Sequence, residues 1–350
     1  MSISVDGTNG VTYPDLSVQN TAATGFGFKN RIINGACVID QRNAGATITA
    51  VNGDYTLDRW RAISGAASKF SIGRNAGAVT PPSGFSNYFG VTSLSAYTVG
   101  ASENFAFRQS VEGFNFADMA WGTAGAQAAT LSFLVRSSLT GTFGLTLRNS
   151  AQNRTFPATY TISAANTWEQ KTVSILGDTS GTWLVDNGIG VELQFNLGAG
   201  SSVSGGTVGA WNAASYQAPA GCVSVVGTSG ATFYITGVQL EKGSTATSFD
   251  YRPYGTELGL CQRYYEITYY NGSTTAFESY FLTSTFAKNN WFFAVTKRAK
   301  PTVTLVNGAW LNQTPIYYPE PTHCHFSNAV GYFYAGNTAD TIAASASAEL

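Results

Sequence analysis

The chain has 350 residues, enough to bury a large core, and ordinary domain sizes divide it into about two or three domains. Its 19 basic and 20 acidic residues give a formal net charge of -1, which provides no electrostatic footprint for nucleic acid or an anionic membrane surface. Only 11% of residues are charged, so hydroxyl and amide groups must supply much of the polar surface, as suits neutral, packed assemblies.

The opening MSISVDGTNGVTYPD has neither a basic n-region nor an apolar h-region, so no signal peptide is expected and the chain reads as made in the cytosol. No apolar run reaches the roughly 18 residues of a membrane helix, so no membrane insertion is expected. Residues 1–28 hold few apolar side chains around Val11 and Tyr13 and read as an extended attachment arm.

Residues 29–252 alternate in short segments separated by Gly, Asn and Pro, the pattern of an all-β sandwich. Leu131, Phe133 and Val135 alternate with polar neighbours, and Phe143, Leu145 and Leu147 repeat this after Thr140-Gly141, which predicts a hairpin. Val191, Leu193, Phe195 and Leu197 alternate with Glu192, Gln194 and Asn196, predicting a strand with one apolar and one polar face. In ATFYITGVQLE the inward set changes phase between Ile235 and Val238, so Gly237 is the expected site of a bulge.

Pro253 and Gly255 interrupt the pattern, and TELGLCQRYY predicts a short helix capped by Thr256. Residues 253–350 then form a smaller C-terminal β domain with aromatic segments YYEITYY, NWFFAVT and VGYFYAG. No repeat of fixed period argues for a β-helix. Cys37, Cys222, Cys261 and Cys324 lack paired spacing and read as reduced, buried small hydrophobes.

Catalytic signals are sparse. There is no G-x-S-x-G elbow and no P-loop, and the two histidines stand together. Asp178 and Asp186 flank Trp183, and two acids at about 5–10 Å would suit glycoside hydrolysis. Both lie in Gly-rich turns where an aspartate instead bonds its own backbone, and no catalytic residue is assigned.

Three segments together, NRIINGACVIDQRN (30–43), DYTLDRW (54–60) and TGVQLEKGSTATSF (236–249), resemble the opening and closing strands of jelly-roll domains in bacteriophage tail fibres and related virion proteins, themselves similar to carbohydrate-binding modules. VTYPDLSVQNTAA resembles the leader of those proteins, with Leu16 where the family has Gly. CQRYYE with KRAKPTVT resembles their terminal region. The resemblance implies a jelly roll followed by a smaller β domain. It also implies a virion protein on the phage tail, a homotrimer attached to other virion proteins through residues 1–28, and binding to host cell-surface glycan without catalysis. A capsid-decorating or head-fibre protein and a polysaccharide depolymerase are the other readings.

No cofactor is required by this reading. In a trimer, His323 and His325 could offer imidazoles from three chains to one axial transition metal, or be ordinary surface histidines. The family fold also implies a structural calcium near the joined first and last strands, for which Asn34, Asp40 and Glu241 are the nearest oxygen donors; strand-edge polar residues would look the same. Sugar recognition needs exposed aromatic faces beside amide and hydroxyl groups. Trp211, Asn212 and Tyr216 in the loop 198–221 form one candidate set, and Phe85, Asn87 and Tyr88 after Pro81-Pro82 another, unless these rings pack on the sandwich or a neighbouring subunit.

Overall fold

The computed structural model describes residues 4–6, 10–12, 18–19, 29–270, 278–283, 286–307, 316–329 and 342–350, with side chains over 29–267, 291–304, 319–324 and 345–350. Strands β1 (Ser4–Asp6), β2 (Gly10–Thr12) and β3 (Val18–Gln19) form an antiparallel meander within the segment expected to be extended. A β-sandwich follows, built from β4 (Ile48–Thr49), β5 (Tyr55–Leu57), β6 (Trp60–Ser64), β7 (Phe70–Arg74), β8 (Phe89–Ser93), β9 (Asn104–Glu112), β10 (Ala129–Ser137), β11 (Gly141–Arg148), β12 (Thr155–Ile162), β13 (Glu169–Ile175), β14 (Ile189–Ala199) and β15 (Thr232–Lys242). They divide into two six-stranded sheets, ordered β13-β10-β15-β8-β7-β4 and β12-β11-β14-β9-β6-β5. The chain crosses repeatedly between the sheets, and the fold is an all-β jelly roll.

Aromatic side chains from both sheets fill the core. Phe107 and Phe195 stack at 5.2 Å in the second sheet, and Phe133 of the first meets Phe195 edge-on at 5.1 Å. Trp60 lies 5.8 Å from Phe107, and all four rings are at most 1% exposed. Each such burial stabilises the fold by about 1.5–3 kcal/mol before conformational entropy is counted.

The hairpin expected between β10 and β11 does not form, because the two strands lie in opposite sheets. Ser137 Oγ and Ser138 N–H both donate to Thr232 O, which fixes the end of β10 on β15 while the chain crosses to the other layer. Both strands present apolar faces to one core from opposite sides, and alternation reads the same either way. β14 departs from expectation too. Its apolar set is buried as predicted, but Glu192, Gln194 and Asn196 are also at most 2% exposed. Gln217 lies against that polar face: its Oε1 accepts from Arg148 Nη1 at 2.6 Å and its backbone oxygen from Gln194 Nε2 at 2.7 Å.

Helix α1 (Tyr254–Gln262) begins two residues before Thr256, with Pro253 as its N-cap residue. The extended ψ of 142° at Pro253 ends the preceding segment, so Thr256 falls within the first turn. Beyond it come β16 (Tyr265–Tyr270), β17 (Glu278–Thr283), β18 (Phe286–Phe292), β19 (Thr302–Asn307), β20 (Ile316–Pro319), β21 (His323–Ala329) and β22 (Ile342–Ser347). These make two antiparallel sheets, β16-β22-β19 and β17-β18-β21-β20; VGYFYAG lies outside the described residues.

A polar junction ties this part of the chain to the sandwich. Arg263 forks onto the Glu112 carboxylate at 2.9 and 2.6 Å, and Tyr264 donates to the same group at 2.6 Å. Burial alone would raise the Glu112 carboxyl, and the hydrogen bonds from Arg263 and Tyr264 more than offset it, leaving it below its ordinary value. Arg59 lies 3.5 Å over the Tyr264 ring and pairs with Glu349, which also takes Arg42 at 2.8 Å. Tyr55 donates to Leu350 O at 2.6 Å. Cys37, Cys261 and Cys324 are buried and Cys222 half-buried; burial pushes the Cys37 thiol up to about 12, so it is an inert core group.

Candidate functional site

The most informative surface feature begins at Gly237. Ser132 pairs with Gln239 but Leu134 pairs with Thr236, so β15 carries an extra residue opposite β10, and Gly237 takes up the bulge at φ +62°. The expected bulge is therefore present. Its missing side chain leaves room for Phe85, since a Cβ on Gly237 would stand 2.7 Å from Phe85 Cζ. Phe85 arrives on a turn after Pro82, whose oxygen accepts its N–H at 3.1 Å. Phe249 and Tyr251, from the segment after β15, close on the same ring at 5.1 and 5.5 Å and lie 4.9 Å from each other.

These three rings line a shallow groove of about 130 Å³, whose other walls are Asn30, Ile32, Gly35, Ala36, Asp250, Arg252 and Glu257 among others. That is below the roughly 300–1,000 Å³ of a site that encloses a small ligand, so the groove can hold only part of a ligand that otherwise lies along the surface. Tyr251 is 58% exposed, and its hydroxyl donates to Gly84 O at 2.7 Å, which holds the ring upright beside the opening. Partial burial raises the Tyr251 phenol above its ordinary value, so the hydroxyl remains protonated through the neutral range.

The polar wall is fixed from within. Arg252 donates to Asn30 O and, at 3.3 Å, to Ile32 O, and its Nη1 stands 3.2 Å from Glu257 Oε2. Glu257 also accepts the Asn34 N–H, and Asp250 accepts the Asn30 N–H at 3.2 Å. The result is a cleft with an internally bonded polar wall and an aromatic rim.

The aromatic residues singled out from sequence go to different places. Phe85 joins the groove. Tyr88 is 0% exposed; its hydroxyl donates to Ala76 O at 3.0 Å, and its ring meets Tyr234 and Trp168 edge-on. Asn87 accepts from Asn75 at 2.9 Å, and its backbone oxygen takes the Thr236 hydroxyl. Trp211 packs on Trp121, Trp183 and Phe156 at 5.0, 5.1 and 5.3 Å, and its indole donates to Leu176 O at 2.7 Å. Asn212 pins its own loop, accepting from Thr207 N–H and donating to Ala210 O. Tyr216 lies over the backbone of Gly205 and Gly206.

The oxygen donors considered for calcium are satisfied separately. Asn34 uses its amide on Ile39 and on Asp58 O, Asp40 accepts Asn43 and Gly45 N–H, and Glu241 accepts Gln239 and Thr247. Because the two carboxylates each close a local turn with backbone donors, these residues do not fit a shared calcium cage. Among the described residues, no three His, Cys, Asp or Glu side chains group as metal ligands. His323 begins strand β21, where Thr322 Oγ1 lies 2.9 Å from its Nδ1; the side chain of His325 lies outside the described residues.

Asp178 and Asp186 hold turns. Asp178 is 2% exposed, takes Arg154 through two N–H groups at 2.7 and 2.6 Å, and accepts Ser180 N–H; Asp186 accepts Gly188 N–H. Sequence reasoning passed over Phe249, Asp250, Tyr251 and Arg252. The available signal was SFDYRP, in which aromatic residues alternate with charged ones immediately before a proline.

No family model matches the chain, and no curated protein matches it. Solved structures with similar strand arrangements include the enzymatically active domain of tailspike protein 4 from bacteriophage CBA120, at TM-score 0.35 and 12% identity over 61% of this chain and 21% of that one. A family 11 carbohydrate-binding module from Clostridium thermocellum, in complex with a β-1,3-1,4-mixed-linked tetrasaccharide, matches at TM-score 0.28 and 12% identity over 58% of this chain and 99% of that one. TmCBM61 in complex with β-1,4-galactotriose matches at TM-score 0.28 and 9% identity over 53% and 88% of the two chains. The fold class rests on the strand order itself.

Proposed function

We propose that this chain is a glycan-binding component of a bacteriophage virion, a tail-fibre or receptor-binding subunit that contacts host surface glycan without cleaving it. The observation that carries the glycan reading is the open groove rimmed by Phe85, Phe249 and Tyr251. A pyranose has an apolar C–H face edged by hydroxyls, and a fixed aromatic rim beside a wall of amide and carboxylate oxygens complements both. The virion reading is supported by the likeness of segments 30–60 and 231–265 to phage fibre proteins.

In this reading residues 1–28 attach to other virion proteins, 29–252 bind, 253–350 form the smaller β domain, and three chains associate. Multivalency then compensates for a shallow monovalent site. Asp250 and Glu257 both line the groove, but each is already engaged with Arg252 and with a backbone N–H, which favours binding over hydrolysis.

The test is binding of the purified chain to an array of bacterial surface polysaccharides, with its mass in solution measured in parallel. Groove-dependent binding by a species of three chains, with no new reducing ends, is the expected result. Release of reducing ends would replace it with the depolymerase reading. Labelling of capsids rather than tails by an antibody to the chain would replace it with the capsid-decorating one.

A further inference from the structure

We propose that the groove is selective for uncharged glycans and rejects sugars bearing carboxylate or sulfate groups, an inference that rests on the glycan-binding reading of the same site. The lining contains two carboxylates, Asp250 and Glu257, against a single guanidinium, Arg252. That guanidinium is committed: it donates to Asn30 O and Ile32 O, stands 3.2 Å from Glu257, and has its Nε 3.8 Å from Asp250. An acidic sugar entering here would lose water and meet no cation able to replace it.

Cations close by are tied back as well. Lys29 Nζ donates to Ser248 O at 2.8 Å, and Arg74 Nη1 to Val38 O at 2.9 Å; neither residue lines the groove. What the walls do offer is acceptors. Asp250 uses Oδ2 for the Asn30 N–H, which leaves Oδ1 to take a ligand hydroxyl, and the Tyr251 oxygen can accept while it donates to Gly84. A sugar hydroxyl can donate to these acceptors whereas an ionised carboxylate or sulfate can only accept, so the complementarity is of hydrogen-bond sense as well as charge. The aromatic rim adds to this, because ring faces carry partial negative charge that attracts sugar C–H groups and repels anions.

The experiment uses the full chain on immobilised neutral glucans, galactans, mannans and N-acetylhexosamine oligomers, each beside a uronate-bearing, sialylated or sulfated counterpart. The expected result is binding to at least one neutral glycan and about tenfold or more weaker binding to its acidic counterpart. Tyr251→Ala should weaken the neutral interaction about tenfold, Tyr251→Phe, which keeps the ring but loses the hydroxyl, about threefold, and Asp250→Asn should narrow the neutral-to-acidic gap to about threefold. Acidic glycans bound as tightly as neutral ones, with binding still lost in Tyr251→Ala, would overturn the charge rule and leave the glycan reading standing. Binding to no glycan, or binding indifferent to both Tyr251→Ala and Phe85→Ala in folded protein, would overturn the reading and the inference with it.

Discussion

Two aromatic clusters in the sandwich share similar ring-to-ring spacings and have opposite fates. Trp121, Trp183, Trp211 and Phe156 close on one another, with the Trp121 indole donating to Gln127 O at 2.7 Å and the Trp183 indole to Ser180 O at 3.1 Å. Phe85, Phe249 and Tyr251 make comparable ring contacts but stop at three, with Tyr251 58% exposed beside a groove. An indole whose N–H is bonded to its own fold and whose faces are covered serves stability. A ring with a covered edge and an open face has area left for a partner.

That contrast can be broken most forcefully at Trp183. Replacing it with Ala removes the middle of the closed cluster and should cost about 4 kcal/mol, lowering the melting temperature by about 10 °C while groove binding in folded protein is unchanged. A loss of glycan affinity as large as the loss of stability would show that the two clusters act as one unit.

A pH series separates scaffold from site in another way. Asp58 is fully buried; burial pushes its carboxyl up to about 6, against hydrogen bonds from Gln41 and the charge of Arg42 that pull it down. The folded state therefore holds this proton more tightly than the unfolded chain. Its contribution is complete below about pH 4 and is lost as pH rises through about 6, amounting to about 3 kcal/mol. Glu112 has the opposite sign, losing its contribution as pH falls, so the comparison to make is Asp58→Asn against wild type. Thermal melts from pH 4 to 7 should show the wild type losing ground to the variant as pH rises, with no matching change in groove binding.

Gly237→Ala couples stability to the site. A side chain at φ +62° and 2.7 Å from Phe85 Cζ must displace the ring, so about 2 kcal/mol of stability and part of the glycan affinity should go together. Tyr251→Ala gives the smallest expected stability change, within about 0.5 kcal/mol by denaturant titration, and the clearest loss of binding. A large destabilisation there would mean that Tyr251 is a packing residue after all.

Much of the sandwich was legible in the sequence because its strands alternate strictly and its bulge is marked by a phase change at a glycine. The layer to which a strand belongs was not, since β10 and β11 show the same alternation while facing the core from opposite sheets. Nor was the burial of Glu192, which is paired with Arg108 and Arg148 from neighbouring strands, or of Gln194, which donates to Gln217 from a remote loop. Of the groove, Phe85 was visible as an aromatic residue near prolines. Its meeting with Tyr251 was not, because the contact passes over the bare backbone of Gly237 and no local pattern records it. The packing of Trp211 was hidden for the converse reason: its sequence neighbours are small, and its ring neighbours come from other loops.

The junction at Glu112 and Glu349 has a mechanical consequence. Arg263 and Tyr264, at one end of the C-terminal stretch, and Glu349, at the other, are fastened to the sandwich, and Arg59 bridges the two by stacking on Tyr264 while pairing with Glu349. Arg298 adds a cross-tie, donating to Ala348 O and Glu349 O at 2.9 Å and to Asn187 O at 2.8 Å. A stretch clamped at both ends cannot swing as a lever on a single hinge. Its detachment therefore requires the loss of two anchorages rather than one.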